Sequence, residues 1–117
     1  MIKTLENKAS LFLAITAFVI YANTLNHGYV LDDFSVIKEN FVVQKGLDGI
    51  ETILKTHYRY GYGFTSANLY RPLPLILFAF QWELAPDNAA FAHWMNVLFY
   101  AFSVVLLFFF LLRLFGK

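Results

Sequence analysis

Asp32 and Asp33 stand side by side in "NHGYVLDDFSVIKEN", a few residues beyond a long apolar run. A carboxylate in such a place can take the proton of an attacking hydroxyl. Partial desolvation beside lipid, with a like charge next door, suits one of the two to that work. Adjacent side chains diverge by roughly 100° on a helix and point to opposite sides of a strand. The pair is therefore a poor bidentate clamp, although one acid can face a substrate while its neighbour holds backbone. The plainer reading is structural: either aspartate can cap a short helix through residues 34–40, or simply stand in water. A second set follows in "YRYGYGFTSANLYRP", where Tyr58, Tyr60, Tyr62, Phe64 and Tyr70 are interleaved with Arg59 and Arg71. Aromatic faces stack on sugar rings and arginine grips phosphate through two donors, so a saccharide or lipid-phosphate site is one reading. An interfacial aromatic belt with loop glycines is the other.

The elements that would hold these residues are dictated by hydrophobicity. The 117 residues are 59% hydrophobic, 20% aromatic and 15% charged, with a mean hydropathy of +0.55. A soluble domain carries roughly 25% charged residues, and the shortfall here points to lipid. Net charge is +1 with scattered Lys and Arg, which gives no footprint for nucleic acid. Without cysteine there is neither a disulfide framework nor a thiolate metal site, and the compartment stays open. No nucleotide-binding loop or P-loop is present.

Residues 9–25 form an uncharged run at the short end of the spanning range, and residues 96–112 form another. Asp87 or Asn88 can cap the approach to the second, giving a helix from Ala89 to Phe115, roughly 40 Å long. The expected fold is thus all-α and membrane-bound, with transmembrane helices at 9–25 and 91–115 joined by an outer loop, 26–90. Lys3 and Lys8 precede the first span, and Arg113 and Lys117 end the second. Basic residues near span ends stay inside, so residues 1–8 and 116–117 are expected in the cytoplasm. A cleaved signal peptide competes for the first run, but the cleavage point after "IYA" sets a bulky Ile20 where a small residue is wanted.

Within the loop, "LDGIETILKTHY" places Leu47, Ile50, Leu54 and either His57 or Tyr58 at helical spacing. This predicts an interfacial amphipathic helix near 47–59, closed by Gly61 in the left-handed conformation. Residues 73–80 are apolar but too short to span. With Pro72 in a first turn, they predict a second short helix over 72–84, re-entrant, lying in the interface, or packed on protein.

Three segments in order, "YANTLNHGYVLDDFSVIKEN", "YRPLPLILFAFQWEL" and "HWMNVLFYAFSVVLLFFFLL", resemble the amino-terminal region of the GT-C glycosyltransferases. The likeness is greatest to transmembrane proteins with tetratricopeptide repeats that include protein O-mannosyltransferases. It rests on Asp32-Asp33, Tyr70-Arg71-Pro72, and His93 with Asn96, and covers the chain from about Tyr21 onward. It implies the start of a multi-span fold that moves a hexose from a polyprenyl-phosphate carrier to an acceptor hydroxyl on the outer face. Asp32 or Asp33 would be the general base, Arg71 and more weakly Arg59 would hold the departing phosphate, and Tyr70, His93 and Asn96 would contact substrate. No cofactor or metal is implied, because the polyprenyl-phosphate sugar is itself the donor. Membrane lipid, that donor and downstream spans or repeats of the same protein are the implied partners. The membrane would be the inner membrane of a bacterium or the endoplasmic reticulum of a eukaryote. The family departs from this chain in having many more spans, so the chain reads as the opening piece of a larger enzyme, inactive by itself. The alternative is a non-enzymatic two-span protein whose outer loop binds a partner membrane protein, lipid or saccharide.

Overall fold

The computed structural model describes residues 2–63 and 69–116. Phe64 of the aromatic run, residues 65–68 after it, and Lys117 lie outside the described residues. Every regular element among the described residues is helical: α1 (Ile2–Tyr21), α2 (Ile50–Lys55), α3 (Pro72–Leu84) and α4 (Ala89–Phe115). Shorter 3-10 turns occupy Ala22–Asn26, Val43–Gly49 and Tyr60–Tyr62, and a π turn occupies Phe34–Lys38. The chain divides into two units, Met1–His27 with His93–Lys117, and Gly28–Ala92.

Two helical stretches are long and apolar enough to cross a membrane, Lys3–Asn26 and Ala89–Phe115; the first unit holds the former and the latter from His93 onward. Only 11% and 6% of their most apolar windows are buried, whereas the core helix of a soluble protein would bury most of its length. Phe12, Val19, Phe102 and Leu114 all stand exposed. Hydroxyls inside these helices bond to their own backbone: Thr16 donates to the Phe12 carbonyl at 2.8 Å, and Ser103 to that of Tyr100 at 2.7 Å. They are thus satisfied without water, as a helix in hydrocarbon must be. Rings of Phe18 and Trp94 meet at 5.6 Å, and those of Tyr21 and Tyr100 at 4.4 Å. The first helix begins at Ile2, ahead of the uncharged run from residue 9, because Lys3, Leu5, Glu6 and Lys8 are good helix formers. It tightens into the 3-10 turn where Thr24 returns its hydroxyl to the Tyr21 carbonyl. Of the two candidate caps for α4, Asn88 is the one used: its side-chain oxygen accepts the Phe91 amide at 3.0 Å.

The second unit is built around a small core of Val36, Ile37, Val42, Val43, Ile53, Leu75 and Ala79, with Tyr29, Tyr58 and Trp82 packed against it. Asn40, 1% exposed, organises the backbone beside that core. Its side-chain oxygen accepts the amides of Val42 and Val43 at 3.2 and 3.1 Å, and its nitrogen donates to the Ser35 carbonyl at 3.3 Å. The Phe41 amide then donates to the Gly61 carbonyl at 2.9 Å, tying two distant turns together. Gly46 adopts φ 59°, which glycine alone takes at no steric cost, and lets the Leu47 amide reach the Glu83 carboxylate at 3.2 Å.

Helix α3 occupies the residues expected, but the helix expected over 47–59 is reduced to Ile50–Lys55. Before it, the left-handed Gly46 and the 3-10 turn rotate the chain, so that Ile53 is buried while Leu47 and Leu54 stay about half exposed. After it, Thr56 is extended and the Tyr58 amide donates to the Leu69 carbonyl at 2.8 Å, drawing the chain out of the helix. The left-handed glycine here is Gly63, at φ 94°, and not Gly61, which closes no helix.

Candidate functional site

The acid pair follows a tight turn. The Asp33 amide donates to the Val30 carbonyl at 2.9 Å, and the Asp33 carboxylate accepts the Val30 amide at 3.0 Å. This is one half of a capping box, with the acid three residues on reaching back to the cap amide. Asp33 therefore does hold backbone, but that of Val30; it makes no side-chain bond to the turn Phe34–Lys38. The clamp leaves Leu31 in the left-handed region at φ 46° with its side chain 91% exposed. Leucine rarely adopts that conformation, because Cβ crowds the backbone.

Asp32 points elsewhere. Its carboxylate pairs with an Arg59 Nη at 2.7 Å, its own side chain largely exposed and the arginine's one-third so. Arg59 is carried there by Tyr58, whose ring packs on the core of the second unit. The Tyr58 phenol lies within electrostatic reach of Asp32, Asp33, Arg59 and Arg71 together. Burial raises its pKa above the ordinary 10.0; the Arg71 guanidinium opposes this, Asp32 adds to it, Arg59 opposes and Asp33 adds. Tyr58 is thus a neutral phenol at physiological pH, under the influence of two carboxylates and two guanidinium groups. Arg71 is exposed at the start of α3 and makes no ion pair among the described residues.

The residues singled out in the sequence are distributed as follows. Asp32, Asp33, Arg59 and Arg71 gather around Tyr58. Tyr70 turns its hydroxyl to the Leu54 carbonyl at 2.9 Å. His93 and Asn96 belong to the other unit, where the His93 ring meets that of His27 edge-on at 6.5 Å. The sequence marks Tyr58 as a stacking aromatic and His57 or Tyr58 as a position on a helix face; the structure sets both apart for other reasons. Tyr58 was one of several tyrosines, and only its core packing marks it. His57 has both ring nitrogens buried without a hydrogen-bond partner, as is Arg59 Nε in the same turn. Alternation of His, Tyr and Arg in "HYRY" was the available signal. Among the described residues, no group of three or more His, Cys, Asp or Glu is placed to hold a metal ion.

No family model matches this chain, and no curated protein or solved structure matches it.

Proposed function

We propose that this chain is the amino-terminal part of a GT-C-type integral-membrane glycosyltransferase, moving a hexose from a polyprenyl-phosphate carrier to an acceptor hydroxyl on the outer face. The Asp32–Arg59 pair, with Tyr58 and Arg71 alongside, is the observation that carries this reading. In the proposed step the acceptor oxygen attacks the anomeric carbon and gives its proton to Asp32. The bond from that carbon to the carrier phosphate breaks, and its electrons leave with the phosphate. Arg71, which has no ion pair to give up among the described residues, receives that charge through its planar fork. The Asp32–Arg59 pair is solvent-exposed, and such pairs contribute at most about 1 kcal/mol. The singly charged phosphodiester of the donor can therefore compete for Arg59 and release Asp32 as the base, and the second charge that develops as the phosphate leaves strengthens that hold. Asp33, bound to the Val30 amide, has a backbone role. Both termini lie in the cytoplasm in this reading.

The test is hexosyl transfer from a radiolabelled polyprenyl-phosphate sugar, in membranes carrying the protein that contains this region, normalised to protein amount. Asp32→Asn keeps the shape but cannot take the proton, and should reduce transfer by on the order of 10²–10⁴-fold. Asp33→Asn should leave much of the turnover intact. Near-parental rates in both variants would remove the base from this pair.

One observation favours a second reading, a non-enzymatic two-span protein: each carboxylate already has a structural partner, Arg59 for Asp32 and the Val30 amide for Asp33. On that reading Arg59→Gln and Asp32→Asn lower stability equally, and neither changes any transfer rate.

A further inference from the structure

Helix α3 has two apolar faces and only one of them is packed. Leu75 and Ala79 are buried, and Phe78 and Trp82 lie against the same core. On the opposite side Leu73, Leu77, Phe80 and Leu84 recur at helical spacing as a continuous stripe. Leu73, Phe80 and Leu84 are 77%, 42% and 57% exposed. A surface helix of a soluble domain would carry its charges there. The only charged side chain of α3 is Glu83, and its carboxylate is turned to the Leu47 amide.

We infer that this stripe is a lipid-docking face, by which the second unit lies on the outer leaflet of the membrane that its neighbouring helices cross. The chain itself argues for lipid as the occupant. Leu84 precedes Ala89, the first residue of a helix long and apolar enough to span, by five residues. An extended chain covers at most about 3.6 Å per residue, so Leu84, the near end of the stripe, cannot travel beyond roughly 18 Å from the first residue of that helix. The stripe is thus tethered close to the end of a helix able to cross a membrane, where an apolar stripe can meet lipid. Tyr60 and Tyr70, both exposed, are of the type that gathers at headgroup level. An ordinary interfacial helix turns its polar face to water. Here that face is replaced by the protein core, so α3 is held between lipid and the rest of the unit. The docking holds for either reading of the acid pair.

The sequence contains no cysteine, so single labels can be introduced without background. Leu73→Cys, Phe80→Cys and Leu84→Cys, each carrying an environment-sensitive fluorophore, are compared with Glu51→Cys in the full chain in phosphatidylcholine vesicles. Glu51, 80% exposed on α2, is the aqueous reference. Phosphatidylcholine bearing a doxyl quencher high on its acyl chain should quench the three stripe labels at least twofold more than iodide does, with the order reversed at Glu51. Stripe labels as open to iodide as the reference would overturn the inference. Labels shielded from both quenchers would overturn it too, since they would mark a protein cover such as a second copy or another helix.

Discussion

Gly61→Ala tests how the second unit holds its site in place. A Cβ at this position would lie 1.8 Å from the Asn40 side-chain oxygen, 2.6 Å from its Cγ and 3.0 Å from its nitrogen. Asn40 is almost fully buried and cannot swing into solvent. To accommodate the methyl it must give up its bonds to the Val42 and Val43 amides and to the Ser35 carbonyl. Each hydrogen bond lost with a group left buried costs about 1–3 kcal/mol, but partial relaxation recovers some of it. A net loss of about 2–4 kcal/mol follows. For a unit of this size that amounts to a fall in Tm of about 10–20 °C. The assay is thermal unfolding in detergent, followed by tryptophan emission with Trp94→Phe in the background so that Trp82, packed against the core, is the reporter. Gly28→Ala is the control, because nothing lies within 4 Å of its added Cβ. Coupling gives a second check. Once Asn40→Ala has removed the obstructing side chain, adding Gly61→Ala should cost little more. A Tm for Gly61→Ala equal to that of Gly28→Ala, or strict additivity with Asn40→Ala, would refute the packing argument.

Leu31→Asn should stabilise the second unit by about 1 kcal/mol, because asparagine tolerates the left-handed backbone that leucine resists; Leu31→Val should destabilise it, and denaturant midpoints distinguish the two. The pKa values of Tyr58 and Tyr29 are raised, chiefly by burial, so the folded state holds these protons more tightly than the unfolded chain. Their contribution to stability should be fully present below pH 10.0 and lost as pH rises through the folded values; absorbance at alkaline pH should show a late-titrating phenol that Tyr58→Phe removes. Arg71→Lys keeps the charge but loses the planar fork, so use of the phosphate donor should weaken several-fold while protein abundance stays unchanged. Breaking the exposed Lys38–Asp87 pair by Asp87→Asn should cost no more than about 1 kcal/mol, with a smaller effect in high salt.

The helices were legible because their signals are local. Uncharged runs announce α1 and α4, Pro72 opens α3, and Asn88 sits one residue ahead of α4 as a cap must. Divergence of the two aspartates also follows from backbone geometry alone. The structure decided what depends on residues far apart in the chain. Asp32 pairs with Arg59 rather than Arg71 because Tyr58 is anchored on the core and sets the direction of the next residue. Gly61 is required for its closeness to Asn40, twenty-one positions away, and not for a helix end. Helix α2 is short because the Tyr58 amide has a better partner at Leu69. Periodicity shows which face of a helix is apolar, but not where a helix yields to a hydrogen bond from another segment. Nor does it show which of two arginines an acid meets, because that depends on how Val43, Ile53, Leu75 and Ala79 pack around a buried Asn40.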